Sequence, residues 1–404
     1  MSSIKVAILG FGTVGEGVYK TISSHQAKLT EVLGKKVEVA AILIKNKEKD
    51  RGIDKSVLVT DDFEEILALE QLDVVVEAIV GQQPGFTYLK KAIEKGCHII
   101  TANKEMFAVH GNELESLARK KGVSVGFEAT VAGGVPVIQT LKQLLNINQI
   151  KKIEGILNGT SNYILSEMRT NSLSFAEALK AAQEKGYAEA DPTNDVEGYD
   201  AFYKLMVLSE LAFGGKPAWE DVPREGITDI NEEQIKGAEK LGLRFKLIAS
   251  IQLTGGKITG SVRPTLVSET HPLFNIEGVE NSVSIEGDIV GRITLQGPGA
   301  GMLPTASAVI EDLVHVVRGT DQLSVRSLLV EKEVDLEEEK SKQNWLMIHP
   351  GEAQLTSVPV SVVTETERHV YLKADEPSIT TLRKRNHQAS IFEVLGEFQL
   401  KESV

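Results

Sequence analysis

From Lys185 to Lys204 the chain reads KGYAEADPTNDVEGYDAFYK, where five acids (Glu189, Asp191, Asp195, Glu197 and Asp200) close on one lysine. A loop of carboxylates meeting a lysine suits an amino-bearing substrate and a proton donor. Asp200 and Lys204 are four residues apart, so on a helix they share a face. A surface ion pair has the same spacing; chemistry is favoured by the acidic loop delivered to the same helix end. Pro192 and Gly198 break regular helix in the first half. From Tyr199 the apolar positions Phe202, Leu205, Met206, Leu208 and Leu211 predict a helix through Phe213, stopped by Gly214-Gly215.

A second cluster opens the chain. The apolar run Ile4 to Leu9 predicts a buried parallel strand, and GFGTVG follows from Gly10 to Gly15, leading into a helical pattern (Val14, Val18, Ile22). This is the dinucleotide fingerprint, with Gly10 for the tight turn, Gly12 for backbone approach to a pyrophosphate and Gly15 for helix–strand packing. Phe11, Thr13 and Val14 complete the turn, and phosphates would sit on the helix N-terminus. The next strand, Val37 to Ile44, ends in Lys45, Asn46 and Lys47, with Lys49 and Arg51 beyond. No carboxylate stands there to bind a ribose 2′-hydroxyl. These cations could meet a 2′-phosphate, favouring NADP with NAD tolerated, or simply form a solvated turn.

Further βα units are predicted: strands at Leu72 to Val80, Cys97 to Thr101 and Val123 to Phe127, with a helix at Phe86 to Glu94. Lys104 follows the second of these, beyond a strand's carboxyl end, where such sheets bind ligands; the alternative is a solvated loop lysine. EATVAGGVPVI, from Glu128 to Ile138, forces an irregular backbone beside one carboxylate. It could hold a hard cation or be an interdomain turn. Cys97 reads as core filler.

The 404 residues imply two or three domains. With 44 basic against 57 acidic residues the net charge is -13, which disfavours nucleic acid and anionic membrane. A single cysteine suits a reducing cytosol, and no apolar run approaches a membrane span, so a cytoplasmic protein is expected. After Ile150 a strand (Lys151 to Leu157), helices (Asn162 to Arg169, Phe175 to Lys185) and strand-like pieces (Lys246 to Leu253, Lys257 to Leu266, Val283 to Glu286, Arg292 to Leu295) predict a mixed sheet. A second glycine loop, Gly297 to Gly301, then opens a helix from Thr305 to Arg318. The fold expected is α/β: a Rossmann-type dinucleotide-binding domain (1–130, completed by 305–318), an α+β catalytic and dimerisation domain (131–304), and a linker with a small C-terminal region (320–404). In the last, Glu331 to Lys342 reads as a charged linker, Val358 to Val363 and His369 to Lys373 as strands, and Ile379 to Asn386 as a short helix.

GFGTVG, TANKEMFA, EATVAGGVP, NGTSNYIL, KGYAEADPTNDVEGYDAFYK and GPGAGMLPTASA, in this order and spacing, closely resemble homoserine dehydrogenase over residues 4 to 320. The resemblance implies reversible hydride transfer between NAD(P)H and L-aspartate 4-semialdehyde, giving L-homoserine, on the route to threonine, methionine and isoleucine. It implies that Lys204 is the proton donor to the aldehyde oxygen, assisted by Lys104. Glu189, Asp195 and Asp200 would hold the substrate ammonium and position the lysine. A sodium ion would lie on the Glu128 carboxylate and the carbonyls of Val131, Gly133 and Val135, and Gly301 would line the cofactor. The two lysines are expected to depress each other's pKa. A homodimer through the second domain's sheet is implied, with a homotetramer as the alternative.

The C-terminus departs from the family pattern. Where many members carry an ACT domain with an Asp-x-Pro-Gly turn, this chain has Asp375-Glu376-Pro377-Ser378. That leaves either a degenerate ACT-like regulatory segment or packing. Among other functions, an aspartate-semialdehyde dehydrogenase would need a cysteine nucleophile in a different setting. A dinucleotide-binding sensor without catalysis would keep GFGTVG but have no use for residues 185–204.

Overall fold

The computed structural model describes residues 3–46, 51–319, 342–349, 353–366 and 368–400. Six short strands form the first sheet: β1 (Ile4–Leu9), β2 (Val37–Leu43), β3 (Leu58–Thr60), β4 (Val74–Glu77), β5 (His98–Thr101) and β6 (Val125–Gly126). They run in the order β3-β2-β1-β4-β5-β6, all parallel. Apolar runs such as IKVAIL and VVVE are buried on both faces, as a parallel sheet between helices requires. Those helices are α1 (Thr13–Ser24), α2 (Gln26–Leu33), α3 (Phe63–Leu67), α4 (Gly85–Lys95) and α5 (Lys104–Lys121); α6 (Val137–Leu144) follows. The strand order reverses between β1 and β4, and the crevice beyond their carboxyl ends is where such sheets take dinucleotides.

The rest of the chain builds one mixed sheet. Its first part runs β7 (Ile150–Ile156), α7 (Gly159–Thr170), α8 (Phe175–Glu184), α9 (Thr193–Val196), α10 (Tyr199–Phe213) and α11 (Glu232–Lys240). Then come β8 (Leu243–Thr254), β9 (Lys257–Ser268), β10 (Glu280–Gly287), β11 (Gly291–Pro298) and α12 (Met302–Arg318). The C-terminal part supplies β12 (Gln343–Ile348), β13 (Ser361–Glu365), β14 (His369–Ala374), α13 (Glu376–Arg385) and β15 (Ser390–Leu395). The nine strands lie in the order β11-β10-β7-β8-β9-β15-β12-β14-β13. Only β15 on β9 is a parallel pair. The C-terminal strands therefore continue the second sheet. The helix α12 goes the other way: Ala306, Val309 and Leu313 share a core with Ile4, Val6 and Ile8 of β1.

Several expectations need adjustment. The predicted strand Leu72 to Val80 is regular strand only over Val74–Glu77, because its apolar run continues into the crevice loop, where Val80 is 93% exposed. Lys104 is the first residue of α5 and not part of a loop. β12 and β15 were not anticipated, and β13 begins three residues later than the predicted start at Val358. The charged linker from Glu331 to Lys342, apart from Lys342 itself, lies outside the described residues, as do Lys47 and Lys49. Among those described, no helix is long and apolar enough to cross a membrane.

Candidate active site

Asp200 stands in the first turn of α10, preceded by Gly198 in the left-handed conformation, and Lys204 follows one turn on. Lys204 Nζ donates to Asp200 Oδ2 at 2.6 Å and to the Leu157 carbonyl, just past β7, at 2.7 Å. From the other domain, Lys104 Nζ reaches Asp200 Oδ1 at 2.8 Å. One carboxylate thus holds two ammonium groups, one on each of its oxygens. The Lys204 side chain is 11% exposed and that of Lys104 43%, so the first is dry and the second faces the crevice. The predicted pair is therefore no surface salt bridge; its charges are buried and hydrogen-bonded, as burial demands.

The electrostatics separate the two lysines. Burial pushes Lys204 below its ordinary value, with Lys104 adding to the shift and Asp200 opposing it. Asp200 instead pushes Lys104 up, so the expected mutual depression holds for only one of the pair. Burial alone would raise the Asp200 carboxyl, but Lys104 and Lys204 outweigh it and hold it well below the carboxylate range. Asp195 is raised by burial and then by the neighbouring Asp200.

Asn158 was missed as a functional residue, although it opens the NGTSNYIL block. Its Nδ2 donates to Asp195 Oδ1 at 2.7 Å and to Asp200 Oδ2 at 2.9 Å, while its Oδ1 caps α7 through Ser161 N–H at 2.7 Å. One amide thereby fixes two of the three predicted substrate acids. The third, Glu189, is exposed on the loop between α8 and α9 and stays outside the cluster.

The glycine turn fits a dinucleotide. Gly15 lies against the strand so closely that a Cβ there would stand 2.0 Å from the Gly10 carbonyl oxygen, whereas Gly12 faces open space. Gly12 caps α1 without any side-chain hydrogen bond, leaving the first-turn N–H groups to a ligand. Phe11 stacks edge-on to Tyr19, and Thr13 and Val14 begin the helix. Across the crevice Gly301 caps α12 at φ 119°, and Lys45 is exposed at the end of β2. Asn103 ties the β4 and β5 ends together: its Nδ2 donates to the Ile79 and Gly81 carbonyls, and its Oδ1 accepts from Met106 N–H at the start of α5. Beneath them the buried Glu77 accepts from Ile79 N–H and Thr101 Oγ1, and burial raises its carboxyl to about 7.

Glu128 is 3% exposed and its pKa is raised by burial. Its two oxygens accept from the N–H groups of Ile138 and Gln139, both at 2.8 Å, so it also caps α6. Ala132 and Gly133 both take positive φ, folding the 131–135 backbone back beside it. A buried carboxylate with turned carbonyls suits an alkali cation, which would offset the cost of burying the charge. Among the described residues, here or elsewhere, no cluster of three His, Cys, Asp or Glu side chains could hold a metal. Cys97 is buried in the core and its thiol is pushed up to about 11, chiefly by burial, so it is no nucleophile.

A parallel sheet with a glycine turn at its switch point, and a buried lysine on a carboxylate across the crevice, define an NAD(P)-dependent oxidoreductase. The comparisons specify which. Residues 10–128 match the family model for the homoserine dehydrogenase NAD-binding domain, and residues 136–314 that for homoserine dehydrogenase. The chain is 44% identical over 318 residues to the homoserine dehydrogenase of Neisseria gonorrhoeae, spanning 79% of this chain and 73% of that one. It is 43% identical over 320 residues to the Bacillus subtilis enzyme, spanning 79% and 74%. A homoserine dehydrogenase structure from Thiobacillus denitrificans superposes with TM-score 0.87 at 33% identity, covering 98% of both chains. A hyperthermophilic archaeal homoserine dehydrogenase solved in complex with NADPH gives 0.69 at 26% identity, covering 79% of this chain and 98% of that one. The chain belongs to the homoserine dehydrogenase family and is an NAD(P)-dependent enzyme of amino-acid biosynthesis; a sensor without catalysis finds no support.

Proposed function

We propose that the chain interconverts L-homoserine and L-aspartate 4-semialdehyde with Lys204 as the proton-transfer group. The carrying observation is that the Lys204 ammonium is buried and held by Asp200 and the Leu157 carbonyl. In the reducing direction Lys204 gives a proton to the aldehyde oxygen; in the oxidising direction its neutral amine takes the hydroxyl proton. A lysine pKa lowered by burial eases both steps. The bound nicotinamide supplies or accepts the hydride. Lys104, on the opposite oxygen of Asp200, polarises the substrate oxygen from the cofactor side. Glu189, Asp195 and Asp200 bind the substrate ammonium; that cation favours the ionised form of Asp195, which burial and Asp200 disfavour.

On the cofactor side, Gly10, Phe11, Gly12, Thr13, Val14, Gly15 and Gly301 cradle the dinucleotide, with Lys104 at its nicotinamide end. Lys45 meets a 2′-phosphate, so NADP is preferred over NAD. The Glu128 carboxylate and the Val131, Gly133 and Val135 carbonyls would hold a sodium ion, which would neutralise the buried charge. Residues 1–130 with α12 are the cofactor domain and 131–304 the catalytic and dimerisation domain. The assembly is a homodimer or homotetramer in the cytoplasm, and the product feeds threonine, methionine and isoleucine synthesis. In support of pairing between copies, β11 is an edge strand with exposed Ile289 and Val290 in the turn before it. For residues 342–400 the partial order β15-β12-β14-β13, fourth-first-third-second in chain order, supports an ACT-like module lacking its first helix among the described residues. Asp375, in place of the usual turn, caps α13 through Ser378 N–H.

The test is spectrophotometric: purified protein with L-homoserine and NADP, and with NAD in parallel. Homoserine-dependent production of reduced nicotinamide, faster with NADP, is expected. No reduction with either nucleotide, despite demonstrated nucleotide binding, would overturn the reading.

A further inference from the structure

The Leu157 carbonyl that holds Lys204 has a second donor. Asn281 Nδ2, from β10, reaches the same oxygen at 2.9 Å, against 2.7 Å for the Lys204 ammonium. Asn281 is wholly buried, and its Oδ1 has no hydrogen-bond partner. An unsatisfied buried acceptor is destabilising. Packing does not require that cost, since an apolar side chain of similar volume would avoid it. What the amide supplies is a donor that fixes the peptide on which the ammonium rests.

On its other side Asn281 supports the glycine loop. A Cβ at Gly299 would lie 2.1 Å from Asn281 Cγ, so the loop backbone rests directly on the amide. The Gly299 carbonyl in turn closes on Gly133: a Cβ there would be 2.3 Å from that oxygen. Gly301, two residues past Gly299, begins the helix facing the crevice. A continuous packed line thus runs from the 131–135 turn through Gly299 and Asn281 to Leu157 and Lys204.

We infer that Asn281 is a positioning residue: it holds the Leu157 carbonyl in the orientation that places the Lys204 ammonium, and it ties that placement to the 297–301 loop. The inference rests on Lys204 being the proton-transfer group. It assigns Asn281 no contact with substrate or cofactor.

The test uses the full-length enzyme with two variants that disturb the contact from opposite sides, Asn281→Ala and Gly299→Ala. Both are checked for folding by thermal melting and nucleotide binding, and compared with Lys204→Met. A folded variant should lose about ten- to a hundredfold in kcat, with substrate KM changed less than about threefold. The limb of log kcat against pH that belongs to Lys204 should move to lower pH, because the ammonium form loses a well-placed acceptor. A merely structural role would lower kcat without moving that limb. If Asn281→Ala fails to fold, Gly299→Ala alone decides. An unmoved limb with Lys204→Met inactive would overturn the role of Asn281 alone. Retained turnover in Lys204→Met would instead overturn the donor reading beneath it.

Discussion

The two walls of the crevice are made of different materials. Around Gly10 to Gly15 and Gly301 the surface is backbone: glycines at close approaches and helix ends whose N–H groups face outward. Around Asp200 it is side chain, with two lysines, two carboxylates and one amide each satisfied by another. A backbone wall can take a ligand whose charge is the same in every reaction, such as a pyrophosphate. A side-chain wall can change protonation state during turnover, which backbone cannot do. The division matches one side that only binds and one side that also reacts.

If that division is right, damage to the two walls should differ in kind. Lys204→Met should lower kcat by orders of magnitude while nucleotide affinity, followed by fluorescence titration, stays within about twofold. Near wild-type kcat would show that the reacting group lies elsewhere. Gly15→Ala should do the reverse. Its Cβ would stand 2.0 Å from the Gly10 oxygen, forcing α1 away from the strand. Overpacking of this kind costs about 1–3 kcal/mol, so KM for the nucleotide should rise about tenfold or more, with kcat at saturation less affected. An unchanged nucleotide KM would mean that the turn does not carry the cofactor.

The walls also differ in how far the sequence reveals them. A glycine turn is local, so its spacing after a buried strand is enough to read it, and the Tyr199–Phe213 helix with Asp200 and Lys204 on one face was readable end to end. The Leu157 carbonyl and the Asn158 bridge come from contacts between distant segments, and the Glu128 cap on α6 from an irregular turn, on all of which periodicity is silent. α5 was hidden because Lys104 to Lys121 is strongly polar and its cap, Asn103, spends its amide on carbonyls some twenty residues earlier. In the C-terminal region, β12 lies between β15 and β14 and β15 pairs with β12 and β9, and the sequence does not name such partners.

Glu77 tests whether the backbone wall is as inert to protons as its chemistry suggests. Burial raises its carboxyl from 4.5 to about 7. A folded-state value above the unfolded one favours the folded state below about 4.5, and that contribution is lost as pH rises through 7. The loss is on the order of 3 kcal/mol. Glu77→Gln, which cannot ionise, should therefore melt with a smaller decline between acid and alkaline buffers than the wild type. An identical decline would mean that Glu77 ionises without cost, through contacts the folded chain gains on ionisation.

The smallest effect is expected at Lys45, the exposed cation nearest the end of β2 on the backbone wall's cofactor-selective edge. It is exposed, at the end of β2, and Arg51 beyond it is turned back onto the Asn46 carbonyl at 2.7 Å. A solvated lysine on a phosphate is worth about 1 kcal/mol, or roughly fivefold in affinity. Lys45→Ala should raise KM for NADP by that factor, leave KM for NAD unchanged, and lose its effect in high salt as screening removes the attraction. Equal changes for both nucleotides would place Lys45 outside the 2′-phosphate's reach. Selection would then have to come from the shape of the turn, and a wall built of backbone would be choosing its cofactor without any charge at all.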